Sequence, residues 1–168
     1  ILLFLSLILS LSIIYFSLHN LRDANSLISK NIYFISLFQS TFIIIAFFTL
    51  ITAFIISDFS LIAVYQNSHS LKPLFYKISG TWGNHEGSLL LWVIILTLFS
   101  FLFLILNKDH PKNYRIFSLI VQNVIIVAFL FFILFNSNPF SKILPLPKEG
   151  LGLNPILQDP ALAIHPPL

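Results

Sequence analysis

"SLLLWVIILTLFSFLFLIL" runs from Ser88 to Leu106: nineteen residues without a charge, interrupted only by Thr97 and Ser100. The hydrocarbon core of a bilayer is about 30 Å thick, and a helix rising about 1.5 Å per residue needs about 20 apolar residues to cross it. In water such a mixture of Ile, Leu, Val and Phe could be a strand or a helix. In lipid a lone segment must satisfy its own backbone, so the run predicts a helix. Three more uncharged runs of spanning length flank it: Ile1–Leu18, Asn31–Ile56 and Ile116–Asn136. The expected fold class is all-α, a polytopic transmembrane bundle of about four spanning helices followed by a Pro-rich outer loop.

Composition agrees. The chain has 168 residues, 57% of them hydrophobic and 9% charged, with 19 Phe. A soluble domain carries roughly 25% charged residues, so this chain has too few charges to cover a water-facing surface. It has no cysteine, which excludes a disulfide framework, a thiolate metal site and a cysteine nucleophile within it. It has no methionine either, even at position 1, and reads as a trimmed chain or a piece of a longer product. The first apolar run lacks the basic flank and small-residue cleavage site of a signal peptide.

Loop charge sets the expected orientation. The short connections His19–Lys30 and Asn107–Arg115 share one side, being two helices apart. They hold Arg22, Lys30, Lys108, Lys112 and Arg115 against Asp23 and Asp109, a net of +3 in 21 residues. The long segments Ser57–Gly87 and Ser137–Leu168 hold Lys72, Lys77, Lys142 and Lys148 against Asp58, Glu86, Glu149 and Asp159, a net of zero in 63 residues. The positive-inside rule then places the short loops in the cytoplasm or matrix and the long ones outside. Two regions follow: residues 1–136, a four-helix transmembrane region with an outer loop at 57–87, and residues 137–168, a Pro-rich outer-face loop. That last segment holds seven of the nine prolines, too dense for a regular helix, yet Leu and Ile are interleaved throughout. It is expected to be ordered and partly apposed to the membrane.

The polar residues are few. "TWGNHEG" precedes the Ser88 run. His85-Glu86 would begin a zinc-protease motif only with His at 89, which is Leu89. Ser88 lacks the glycine-flanked context of a hydrolase nucleophile. No glycine-rich phosphate loop and no basic aromatic patch for nucleic acid exist. The plain reading is helix-start chemistry: Asn84 caps, Glu86 suits the positive end of the dipole, and Trp82 and Trp92 suit the interface. The other reading is that His85, Leu89 and Trp92, at i, i+4 and i+7, form a face that walls a flat apolar ligand. His165, in "LAIHPPL", is pushed to extended geometry by the proline after it and stands on a stiff apolar stretch. His19, His69 and His110 read as solvated. Gln122 and Asn123 are expected to hydrogen-bond between helices. No Asp, Glu, Lys or Arg falls inside a span core, which argues against an ion path and against a respiratory or transport subunit.

"TWGNHEGSLLLWV" (Thr81–Val93) and "LFNSNPFSKILPLPKEGLGLNPILQDPALAIHPPL" (Leu134–Leu168) together resemble the CcmF family, heme lyase subunits of cytochrome c maturation, in order and spacing. The likeness covers the chain from about Asn31 onward; Asn84 and Ala161 stand where the family commonly has other residues. It implies a polytopic protein of the outer heme-handling face, supplying the N-terminal part of a holocytochrome c synthase. Such a protein takes heme b from the heme chaperone CcmE. With a CcmH-type thiol partner it joins heme vinyl groups to Cys-x-x-Cys-His of apocytochrome c. His165 matches the family's outward axial ligand in His-Pro-Pro, while Trp82, His85, Glu86 and Trp92 are assigned as heme-side support. The family's tryptophan-rich WWD segment and its other heme histidines are not in this chain, so its remaining part is an expected partner, alongside membrane lipid. The Phe/Ile/Asn/Lys-heavy usage suits an AT-rich organelle genome and suggests a mitochondrial inner membrane, with a bacterial plasma membrane as the alternative. The rival class is a structural membrane subunit with no heme ligand of its own.

Overall fold

The computed structural model describes residues 1–22, 28–154 and 158–164. Among them are seven helices: α1 (Leu2–Arg22), α2 (Lys30–Ile55), α3 (Ile62–Asn67), α4 (Leu74–Gly80), α5 (His85–Leu106), α6 (Lys112–Asn136) and α7 (Pro160–Ile164). Four of them, α1, α2, α5 and α6, are long and apolar enough to cross a membrane, as expected for a multi-pass membrane protein. Each overruns or matches its uncharged stretch, because polar residues at a membrane edge can continue a helix that lipid requires further in. The described residues form two compact units, Ile1–Ile45 with Trp92–Leu134, and Ala46–Leu91 with Phe135–Leu168.

The first unit is helix packed on helix. On α1 the buried residues are Leu3, Ser6, Ser10, Ile13, Ser17 and Asn20, alternating three and four apart and so forming one stripe. The serines are small and let neighbouring backbones approach. Ile13, Ile32, Leu104 and Leu119 form a buried cluster with Phe16, Ile28, Tyr33 and Ile35 packed against it. The outward faces are apolar too: Phe4, Phe34, Phe38, Phe99 and Phe117 are all more than half exposed, as lipid contact demands.

Inside this unit the four spanning helices share one polar junction. Gln39 of α2 donates from Nε2 to Ser10 Oγ of α1 at 2.5 Å and to Asn123 Oδ1 of α6 at 3.1 Å. Asn123 Nδ2 donates to Ser100 Oγ of α5 at 3.4 Å and to Leu119 O at 3.0 Å. All four side chains are buried. The interhelical role expected of Asn123 is present. Gln122 does not share it, since its Oε1 has no hydrogen-bond partner among the described residues. Arg115 departs from the loop position given by charge pattern: it lies in the first turn of α6, buried, and its Nη2 donates to the Leu104 carbonyl and, at 3.1 Å, to Tyr33 Oη. It satisfies a carbonyl at the C-terminal end of α5, where no intrahelical donor exists.

The second unit stitches the 57–87 segment to the Pro-rich one. Ile62 N–H donates to Ser141 O at 2.9 Å and Ile143 N–H to Ser60 O at 3.0 Å, around an antiparallel bridge of Leu61 with Lys142. Farther on, Leu151 N–H donates to Tyr65 O at 2.8 Å and Gly152 N–H to Ser68 O at 3.1 Å. Gly150 is required here, because a Cβ would sit 2.0 Å from Ser68 O. Glu149 closes the seam: Ser70 N–H and Oγ–H donate to its two oxygens at 2.9 and 2.5 Å. Those bonds, led by the Ser70 hydroxyl, hold its carboxyl down to about 2. The prolines remove backbone donors from this segment, and four of its backbone bonds run to its partner segment. One short helix nevertheless forms in it, α7, with Pro160 at the first position, where a missing N–H costs nothing.

Candidate functional site

The site is built around Asn84. Helix α4 ends at Gly80, and the chain winds on through Thr81, whose N–H donates to Ile78 O at 3.0 Å, Trp82 and Gly83, whose N–H groups donate to Ser79 O at 3.2 and 2.9 Å. Asn84 then caps α5: its Oδ1 accepts from Gly87 N–H at 2.8 Å, the bond an N-cap makes to the third helical residue. The same carboxamide reaches backward, Nδ2 donating to Gly80 O at 2.6 Å and Thr81 O at 3.0 Å. One side chain thus closes the end of α4 onto the start of α5. Gly87 permits it, since a Cβ there would lie 1.6 Å from Thr81 O. Glu86, half-buried in the first turn of α5, stands at the positive end of its dipole.

Two bonds tie this turn to the Pro-rich segment. His85 is exposed, and its Nδ1 lies 2.8 Å from the hydroxyl of buried Ser137, the residue after α6. With one ring nitrogen held by a hydroxyl, the imidazole has a set orientation. Trp82 is half-buried, and its indole N–H donates to Ala163 O at 2.8 Å. That carbonyl belongs to α7, which Asp159 opens: its Oδ1 accepts from Ala161 N–H at 2.8 Å and its backbone O from Ala163 N–H at 2.9 Å. Gln158 Nε2 donates to Leu153 O at 3.0 Å, fixing the approach to that helix.

Of the residues singled out from sequence, Trp82, His85 and Glu86 come together in the second unit. Trp92 is 58% exposed and belongs to the first unit. His165 lies outside the described residues. Sequence reasoning missed Ser137, Gly87 and Ala163. A glycine at the third helical position, where Glu or Gln usually completes the cap, was the readable sign of the close approach at Gly87.

The cytochrome c assembly protein family model matches residues 82–168. The chain is 53% identical over 129 residues to the cytochrome c-type biogenesis protein CycK of Rhizobium meliloti, covering 76% of this chain and 19% of that one. It is 52% identical over 132 residues to ccl1 of Rhodobacter capsulatus, covering 79% and 20%. It is 43% identical over 147 residues to CcmF of Escherichia coli, covering 87% and 22%. The chain therefore spans about a fifth of the length of the curated relatives it matches. A solved structure, the cytochrome c heme lyase CcmF, shares the fold with a TM-score of 0.73 at 24% identity, over 83% of this chain and 23% of that one. Matched over more than half its length, this chain belongs to the cytochrome c assembly protein family and is CcmF-like.

Proposed function

We propose that the chain supplies part of a heme lyase that takes heme from a chaperone of the CcmE type. With a thiol partner of the CcmH type it helps attach that heme to Cys-x-x-Cys-His of apocytochrome c. The observation that carries the reading is the extent of the family match, residues 82–168, which takes in the second motif whole and the first from Trp82 onward. The relatives are named for cytochrome c biogenesis and are bacterial. Their sources favour a bacterial plasma membrane over the mitochondrial inner membrane that composition suggested, with the long loops, the Pro-rich segment 137–168 among them, on the periplasmic side.

The donor set suits heme better than a multi-ligand metal ion. Among the described residues no three His, Asp or Glu side chains gather closely enough to hold a metal. What the motifs offer is imidazole, one ring each at His85 and His165, and a single imidazole is what heme iron takes from one face. Ile164, just before His165, is 50% exposed, an apolar neighbour suited to a porphyrin edge. In this reading His165 is the axial ligand, and Trp82, His85 and Glu86 support the surface around it. Heme, when bound, supplies the vinyl carbons that the apocytochrome thiols take up. The chain's task is to hold the group still while they do so, and positioning is a large part of what such a site contributes.

The test is His165→Ala in the complete heme lyase with its partners. Holocytochrome c should fall by an order of magnitude or more with the protein still present, and added imidazole should restore part of it. Normal maturation, or an unchanged axial-ligand spectrum, would sink the assignment and leave the rival structural role.

A further inference from the structure

We propose that residues 71–77 form a membrane-surface anchor: Leu71, Leu74 and Phe75 enter the leaflet at the end of α2, and Lys72 and Lys77 hold the anionic headgroups of its phospholipids. Ser57 sets the level. Helix α2 is one of the spanning helices and ends at Ile55. Ile56 after it is exposed, as lipid contact demands. Ser57 then takes a left-handed φ of 58°, its N–H donating to Phe54 O at 3.2 Å and the Asp58 N–H to Ala53 O at 2.9 Å. Those two bonds close a helix end, so Ser57 is the first residue past the apolar end of α2. Lys77 Nζ donates to its hydroxyl at 2.7 Å. Lys77 therefore stands where α2 leaves the hydrocarbon, and Phe75, two residues away, lies near that depth.

What this turn presents is apolar. Leu71 is 87% exposed, and Leu74 and Phe75 are exposed as well. None of the three belongs to a spanning helix, and grouped apolar side chains at a surface mark an interaction site. Charge selects the partner. Lys72 and Lys77 are half-buried, and among the described residues neither has a carboxylate within ion-pair distance. The acids around them are engaged elsewhere: Asp58 accepts from the N–H and hydroxyl of Ser60, and Glu149 from those of Ser70. Lys72 Nζ donates to Asn67 O at 3.0 Å, where α3 ends. Each ammonium thus meets only the C-terminal end of a helix, equivalent to roughly half an elementary charge. The pair keeps a net positive charge. Burial, with the Lys77 charge second, brings Lys72 down to about 8. Exposed Leu and Phe beside uncompensated lysines are what an anionic lipid surface takes up, and lipid phosphates stand at this depth already.

For the test, Phe75 is replaced by p-benzoylphenylalanine in the complete heme lyase, in nanodiscs of phosphatidylcholine and phosphatidylglycerol in equal parts. Adducts formed on illumination are identified by mass spectrometry. Lipid adducts should predominate. Phosphatidylglycerol should exceed phosphatidylcholine among them roughly fivefold for each lysine, the preference one surface lysine gives an anionic leaflet. Lys72→Gln should lower that ratio about fivefold, and Lys72→Arg should keep it. If Lys72→Gln fails to accumulate, the ratio with both lysines present decides. Adducts mainly to another stretch of protein overturn the proposal and mark a protein interface; adducts mainly to heme overturn it and mark a place for the porphyrin. Equal labelling of the two lipids overturns it too, as does a ratio that Lys72→Gln leaves unchanged. No readout depends on cytochrome c maturation, so the anchor and the heme-ligand reading stand or fall apart.

Discussion

At Gly87 two backbones meet with no room for a methyl group. The atom a Cβ would strike, Thr81 O at 1.6 Å, is main chain, and its segment is pinned by the bonds from Asn84. Nothing there can rotate away. Gly87→Ala should cost more than the about 1–3 kcal/mol of ordinary overpacking. Gly80→Ala, whose nearest neighbour is the Phe54 ring at 3.3 Å, should be felt much less. Thermal aggregation of the two variants in detergent checks the order; equal midpoints would mean the corner is soft. A second residue-scale prediction concerns Glu149. Its carboxyl lies at about 2 when folded against an ordinary 4.5. A depressed carboxylate stabilises above its unfolded value and loses that contribution as pH falls toward the folded one. The clasp between Ser70 and Glu149 should therefore loosen between about pH 4.5 and 2. Hydrogen exchange of the Ser70 amide should show that step, and Glu149→Gln should abolish it.

Among the elements, the junction of α1, α2, α5 and α6 offers the sharpest test. Interhelical hydrogen bonds in membranes average about 0.6 kcal/mol and reach about 1.7. A double-mutant cycle with Gln39→Leu and Asn123→Leu should return a coupling in that range, read from unfolding in mixed micelles; zero coupling would make the bond incidental. This junction also marks what sequence could and could not tell. The four spans were legible because lipid leaves a long uncharged run one choice. Asn123 was legible because Gln122 beside it doubled the signal, although only Asn123 joins the junction. Gln39 was missed, as one carboxamide between Phe38 and Ser40 barely disturbs an apolar run. The buried place of Arg115 is not legible in sequence, because pattern cannot show that the end of α5 needs a donor. Helices α3 and α4 are too short for periodicity to register. The bond between Trp82 and Ala163 was out of reach, since nothing in spacing brings residues 81 apart together.

For the whole molecule, the expected topology survives the withdrawal of Arg115 from the short loops. Arg22, Lys30, Lys108 and Lys112 still outnumber Asp23 and Asp109 there. The chain has no cysteine of its own, so single cysteines report cleanly. Gln66 and Asn113 are both exposed. Cysteines at these two positions should react with an impermeant reagent from opposite faces; reaction of both from one face would overturn the four-span arrangement. The polar junction has a consequence for how such a chain is made. Its four members sit on four helices, and the ribosome delivers them in sequence. When α2 enters the bilayer, Gln39 finds Ser10 waiting but has a second amide proton with no taker. That proton stays unmatched in hydrocarbon while α5 is threaded, until Asn123 arrives on α6. A chain halted before that point would leave the Gln39 amide without its Asn123 acceptor, so the junction closes only when the last of the four helices is in place.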